Sequence, residues 1–377
     1  MLEFSVKTSD IKNILSKVTR CGGNMKEKAI TEFSFVLVEN GILSITTTDS
    51  TNFLTVSCEI DCDDDIYFVV KTDRFSKLIA KQSVDTITFE VNDDVIIVKG
   101  NGTYKLPVEV DSDGSQIKFP KHEINTPDET GTIKIQTIKD IIFHNKSSLA
   151  SIEASLDKPC LTGYYCGNGE VVTADSFNIC KNAVDTFVGI VDVPPVLFDL
   201  LALCKDESVE YKIYDDRIIF ESPTFKLYGI LMPDDYVSSY PIRTVHDLCD
   251  GSYATECVVP KTVFLNALDR LELLIDELDK DAVYLTFDEH GITIDSMKGR
   301  GSETVMYQSM KNFKPFMCCA SVSSLKGLIG ARTGESVTLM YGNIDPDDPN
   351  VIKDQTITFK DDGITHVTAL LDDDRKG

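Results

Sequence analysis

The sequence predicts an α+β chain of three tandem copies of one domain, each with two helices laid on antiparallel strands. Three observations predict it. A helix-end phrase recurs: Leu78-Ile79-Ala80-Lys81 before Ser83-Val84, Leu200-Leu201-Ala202-Leu203 before Ser208-Val209, and Leu328-Ile329-Gly330-Ala331 before Ser336-Val337. A turn phrase recurs independently: Asn40-Gly41-Ile42, Asn168-Gly169-Glu170 and His290-Gly291-Ile292. From the first copy to the third both phrases move by 250 positions (41 to 291, 78 to 328), so the unit is roughly 125 residues, the size of a domain and not of a solenoid repeat. Within each copy, helical and strand patterns alternate in one order, as in α+β domains. The copies span 1–122, 123–247 and 248–377.

In the first copy Ile11, Ile14, Leu15, Val18 and Cys21 fall on one face of a helix over 9–20, with Ser9 as N-cap. Strands over 32–39 and 42–48 flank Asn40-Gly41, a dipeptide whose tolerance of positive φ makes it the strongest short hairpin signal. A second helix covers 72–81, with Phe75, Leu78 and Ile79 inward, and two strands flank Asn92-Asp93-Asp94. The second copy places helices over 137–150 and 194–204, the latter with Pro194 and Pro195 in its first turn, where a missing N–H costs little. The third has its longest helix over 260–278, striped by Phe264, Ala267, Leu268, Leu271, Leu274, Ile275 and Leu278, and a second over 321–331. An acidic insertion fills 343–350. Segments 118–128 and 243–251 read as connectors.

Composition narrows the class. No run approaches about 18 apolar residues, so no membrane-spanning helix is expected. The N-terminus lacks the basic-then-apolar layout of a signal peptide. Eleven cysteines at irregular spacings, several in apolar runs, read as reduced buried thiols of a cytoplasmic protein. Cys58/Cys62 and Cys160/Cys166 have no histidine cluster beside them, so no structural metal and no cofactor is expected.

The net charge of −24 argues at first against nucleic acid, but its distribution reverses that. The six helical segments 9–20, 71–82, 137–150, 194–205, 260–278 and 320–332 carry +6 together, leaving −30 on the rest. The candidate phosphate-facing cations are Lys12, Lys17 and Arg20; Lys71, Arg74, Lys77 and Lys81; Lys139, Lys146 and Lys205; and Lys326 and Arg332. Helices on one surface and strands on the other would make an electropositive face on an acidic body, which draws a phosphate backbone to one place without reading bases. The 260–278 helix, at −2, departs from this trend.

Several phrases carry a family resemblance across the whole chain. Leu161-Thr162-Gly163 and then Thr173-Ala174-Asp175-Ser176-Phe177 stand where the bacterial-type sliding clamps, the beta subunits of DNA polymerase III, have leucine-asparagine-glycine and a threonine-aspartate-glycine-histidine-arginine strand end. Val193-Pro194, the Leu200-Leu201 helix, segment 228–241 and Gly22-Gly23 keep the family's order. The chain thus resembles a divergent, phage-type sliding clamp. The resemblance implies the ring-forming clamp fold, a homodimer closing head to tail around duplex DNA, and a topological role in which the ring tethers the replicative polymerase at high effective concentration after loading by a clamp-loader ATPase. No enzymatic activity and no membrane are implied; the compartment is the bacterial or phage-infected host cytoplasm. It implies ring contacts at Tyr104 and Leu106 against Leu271 and Leu274. It also implies a partner-peptide pocket at Leu161, Phe177, Ile179 and Val237, together with Ile242, Val367 and Leu371. Ser176-Phe177-Asn178 and the acidic end Asp372-Asp373-Asp374 depart from the family, so the pocket is expected to prefer another peptide.

Two other classes are open to the residues alone. A metal-dependent nuclease would use Asp61/Asp63/Asp64/Asp65 or Asp345/Asp347/Asp348, which lack an EF-hand pattern and read as solvated loops. A viral structural protein would also be built of repeated domains. No phosphate-binding GxxxxGK[ST], GxSxG or HExxH motif is present.

Overall fold

The computed structural model describes residues 2–22, 29–120, 126–153, 155–275, 281–345, 348 and 351–373. The repeat is finer than the sequence shows: strand, helix and three strands occur six times, two such halves per copy. The first copy runs β1 (Leu2–Lys7), α1 (Thr8–Val18), β2 (Phe33–Glu39), β3 (Ile42–Thr48), β4 (Phe53–Glu59), then β5 (Ile66–Lys71), α2 (Thr72–Ala80), β6 (Thr86–Val91), β7 (Val95–Lys99), β8 (Thr103–Pro107). The second runs β9 (Glu129–Lys134), α3 (Ile135–Asn145), β10 (Tyr164–Gly167), β11 (Glu170–Ala174), β12 (Asn178–Asn182), then β13 (Val191–Val193), α4 (Pro195–Leu201), β14 (Ser208–Tyr214), β15 (Arg217–Ser222), β16 (Phe225–Ile230). Two short helices follow, α5 (Asp234–Ser239) and α6 (Ile242–Cys249). The third runs β17 (Tyr253–Pro260), α7 (Lys261–Glu272), β18 (Ala282–Phe287), β19 (Gly291–Ser296), β20 (Ser302–Met306), an added β21 (Ser309–Lys311), then β22 (Phe316–Ser321), α8 (Val322–Gly330), β23 (Ser336–Ile344), β24 (Ile352–Asp361), β25 (Ile364–Ala369).

The halves of a copy exchange first strands. β1 pairs with β6 and β5 with β2; β9 with β14 and β13 with β10; β17 with β23 and β22 with β18. All pairs are antiparallel, so one polypeptide period gives two sheets. Copies are then stitched by their last strands, β4 to β16 and β12 to β25. The result is an eight-stranded and a nine-stranded sheet, plus two four-stranded sheets ordered β1-β6-β7-β8 and β20-β19-β18-β22.

Compactness follows these sheets and not the repeat boundaries. One unit comprises Met1–Ile138 and Val196–Leu231, the other Lys139–Pro195 and Met232–Gly377. In the first unit Ile11, Ile14, Leu15 and Val18 of α1 are all buried, and Phe89 stacks on Phe4 at 4.8 Å with Phe75 edge-on at 6.1 Å. In the second, Phe264, Ala267, Leu268 and Leu271 of α7 share one core with Val322, Leu325, Leu328 and Ile329 of α8. Each such aliphatic or aromatic side chain contributes about 1.5–3 kcal/mol by burial, which fixes the helix faces more firmly than any cap.

The Asn-Gly turns form as the sequence requires, with φ of 52° and 73° at Asn40 and Gly41 and 55° and 76° at Asn168 and Gly169. The third turn differs. There Asp288 accepts from the His290 and Gly291 N–H groups, and a Cβ on Gly291 would stand 2.4 Å from the Val305 carbonyl oxygen. Close approach of β20, and not positive φ, requires that glycine. Other expectations are corrected. Ser9 lies inside α1, because β1 runs directly into the helix and extended Lys7 precedes it. The helix expected over 260–278 ends at Glu272; Leu273 and Leu274 form a turn, and 276–278 lie outside the described residues. Segment 243–251 is not a polar connector, since α6 buries Val245 and Cys249. None of the eleven cysteines is in a disulfide.

Candidate binding groove and basic helix faces

Five of the seven residues expected at the partner pocket meet in one apolar cluster of the second unit. Leu161 and Val367 are buried there with Tyr165, Val172, Tyr240 and Val245, and Ile179, Val237 and Ile242 pack against them. The register explains it: β12 pairs with β25 so that Ile179 stands opposite Val367. Helices α5 and α6, which the sequence reading missed, supply Val237 and Ile242, with Tyr240 in the link between them. A neighbouring groove of about 640 Å³ holds the other two, Phe177 and Leu371.

This groove is built on a tight corner. Asp175 accepts from the Phe177 and Asn178 N–H groups, both at 2.6 Å, and from Asn178 Nδ2 at 3.0 Å. The corner turns the Phe177 ring outward, 57 % exposed. Across the groove Asp281 accepts at Oδ2 from Ser321 Oγ at 3.0 Å, Ser323 N at 3.1 Å and Ser323 Oγ. Ser321 in turn caps α8 by accepting from Ser324 N. Asn178 was read only as part of a departure from the family, and Asp281, Ser323 and Ser324 escaped sequence reasoning; the run Ser321-Val322-Ser323-Ser324 at a helix start was the signal available.

The basic faces are less even than the sequence implies. Arg20, Arg74 and Lys81 are exposed and have no carboxylate partner among the described residues. Lys12 is half-buried and donates to the Gln82 carbonyl oxygen at 2.6 Å. Lys77 pairs with Asp73 at 2.7 Å, one helical turn away, and Lys71 stands 3.9 Å from Glu32. Lys17 is 7 % exposed, and burial, then neighbouring Lys205, hold its ammonium below the usual lysine range. Lys139, Lys146 and Lys205 are exposed.

In the third copy every helical cation is tied. Lys326 of α8 bridges Asp269 and Glu272 of α7 at 2.6 Å each. Arg270 forks onto Glu303 of β20 at 2.7 and 2.6 Å. Lys261 donates to the Gly330 and Arg332 carbonyl oxygens. The expected acidity of this helix is corrected: α7 as formed balances Lys261 and Arg270 against Asp269 and Glu272, whose carboxylates clamp the neighbouring helix, and Asp276 and Glu277 lie outside the described residues. Arg332 corrects the expected cation set outright. It is 1 % exposed, ion-paired to Asp361 at 2.6 Å and bonded to the Phe359 and Ile364 carbonyl oxygens, so it presents nothing to a polyanion.

The expected ring contacts divide similarly. Tyr104 is 37 % exposed and Leu106 half-buried on β8, the end strand of its sheet. Leu271 is a core residue at 2 % exposure with no surface to offer, which corrects its assignment. Leu274 is half-buried in the turn after α7, against Gly301. Asp61, Asp63, Asp64 and Asp65 lie between β4 and β5, and all four are exposed. Among the described residues no three His, Cys, Asp or Glu side chains converge as metal ligands. Asp347 lies outside those residues, and so does Asp374. No described helix is long and apolar enough to cross a membrane.

No family model and no curated protein matches the sequence. Solved structures do match over the whole chain. A DNA polymerase sliding clamp from Bacillus subtilis is similar with a TM-score of 0.82 at 17 % identity, covering 99 % of both chains. The DNA polymerase III beta chain from Streptococcus pneumoniae gives 0.82 at 15 %, covering 99 % of this chain and 100 % of its own. A sliding clamp from Bartonella birtlesii, bound to griselimycin, gives 0.81 at 14 % with the same coverage. The chain therefore has the sliding-clamp fold from end to end.

Proposed function

We propose that this protein is a DNA polymerase processivity factor, a sliding clamp that encircles duplex DNA without reading its sequence. One observation carries the ring. Between copies, the last strand of a first half pairs with the last strand of the next copy's second half: β4 with β16, then β12 with β25. Continued one step, β20 requires the last strand of a second half, and β8 is the one left without a neighbour on that side among the described strands. The chain's own rule of assembly is thus open at both ends and complementary to itself. Such a head-to-tail contact gives a closed ring where the rotation closes and a filament where it does not. Two chains closing it is the reading that the likeness to beta-subunit clamps supports.

Twelve domain helices from two chains would surround the hole, with Arg20, Arg74 and Lys81 of each first copy, which have no carboxylate partner among the described residues, facing phosphate. A sparse, screened positive lining attracts DNA without stalling on it. The work is topological, so no catalytic group is needed. The apolar cluster and its groove would seat a short segment of the replicative polymerase and of the loader ATPase, in a bacterial or phage-infected cytoplasm.

Closure has a direct test in solution mass. The parent is expected at twice 41.8 kDa. Tyr104→Glu places a buried charge in the β8 contact and is expected to shift the particle to 41.8 kDa with unfolding unchanged. A parent that stays at single mass at tens of micromolar would contradict ring closure.

A further inference from the structure

We infer that the groove beside Phe177 selects a partner segment carrying an arginine or lysine next to its apolar anchor. This rests on reading the groove as the partner site and specifies the chemistry of what enters it. The groove is lined by two carboxylates and no base: Asp175 and Asp281 stand with Ser147, four further serine and asparagine side chains, Phe177 and Leu371. Neither carboxylate has a basic partner among the described residues. Among the described residues the bonds of Asp281 all fall on Oδ2, which leaves Oδ1 for a visitor.

A second, independent observation points the same way. Asn178 lines the groove at 5 % exposure, and its Oδ1 has no donor among the described residues, while its Nδ2 is already engaged by Asp175 and Ser324. A buried acceptor without a donor costs free energy until a ligand supplies one. The positions without a partner among the described residues are one carboxylate oxygen and one amide oxygen, which only accept, and the Ser147 hydroxyl, which can do either. The side chain that meets both needs is a cation with several N–H groups, which carries donors and no acceptor. Phe177, 57 % exposed at the rim, offers a ring face on which a guanidinium stacks. A glutamate-bearing segment would meet two like charges, with only serine hydroxyls to donate to it.

Fluorescence anisotropy with three nine-residue peptides tests this. Each carries two leucines and a phenylalanine in a serine-glycine frame and differs only at two positions, both arginine, both glutamine or both glutamate. The arginine peptide is expected to bind at least tenfold tighter than the glutamate one, with glutamine between, and the gap is expected to narrow as salt rises from 50 to 200 mM. Asp281→Asn keeps the acceptor for Ser321 and Ser323 and is expected to cut the arginine preference about fivefold. Equal binding of all three peptides overturns the charge selection while leaving the groove a peptide site. A preference that Asp281→Asn and salt leave intact also overturns it. No binding by any of the three overturns the peptide reading and this inference with it.

Discussion

Arg332→Ala is expected to destabilise the second unit by about 3 kcal/mol or more, although the sequence places this arginine among DNA-facing cations. Its guanidinium joins the end of α8 to the β24–β25 turn through Asp361 and the Phe359 and Ile364 carbonyl oxygens. Truncation leaves the Asp361 carboxylate and two carbonyls without their donor and opens a cavity of arginine size. Removing one partner of such a pair costs more than the pair contributes. It would also alter His366, whose imidazole is held down to about 3 by burial and next by Arg332. Lysine, a point charge without the planar fork, is expected to recover only part of the loss. Urea unfolding followed on the second unit measures this. An unshifted midpoint with weakened DNA binding would return Arg332 to the DNA surface.

The second large effect depends on pH and centres on Asp192. This carboxyl sits in β13 at 0 % exposure, with no donor on either oxygen among the described residues, and burial raises its pKa from 3.8 to about 7. A Cβ on Gly163 would stand 2.0 Å from Oδ1, so the glycine is what makes room for it. The neighbouring phenols of Tyr165 and Tyr240 are pushed up by the same burial and stay neutral. Between about pH 4 and 7 the folded state holds a proton that the unfolded chain releases, so stability falls as pH rises through that window. Three pH units correspond to about 4 kcal/mol. Asp192→Asn is expected to remove this slope, matching the parent at pH 4 and exceeding it at pH 8. Parallel unfolding curves for parent and variant from pH 4 to 8 would contradict an orphaned carboxyl.

The threefold repeat was legible because turns constrain residue identity: Asn40-Gly41 and Asn168-Gly169 need positive φ, and few residues allow it. The sixfold half-repeat was not. Its extra strands, such as Leu2–Lys7 and Val191–Val193, need only alternate, and alternation leaves no phrase to match. The pocket residues came from resemblance and were brought together because strand register ties Ile179 to Val367. Charge was read least well. Periodicity puts Lys326 on a wet helix face, but its carboxylates lie more than fifty residues away on α7, a tertiary fact. Arg332 falls two residues beyond α8, where helical-face reasoning no longer applies. Asp281 joined the groove across forty residues for the same reason.

The most direct test of the clamp is retention on DNA. The protein is loaded with its clamp loader and ATP onto a nicked circular plasmid, separated from free protein in high salt, and the plasmid is then cut once. A closed ring is expected to stay on the circle, where screened phosphate contacts alone would not hold it, and to leave when the DNA becomes linear. Loss from the circle at the same rate as from the linear form would contradict encirclement.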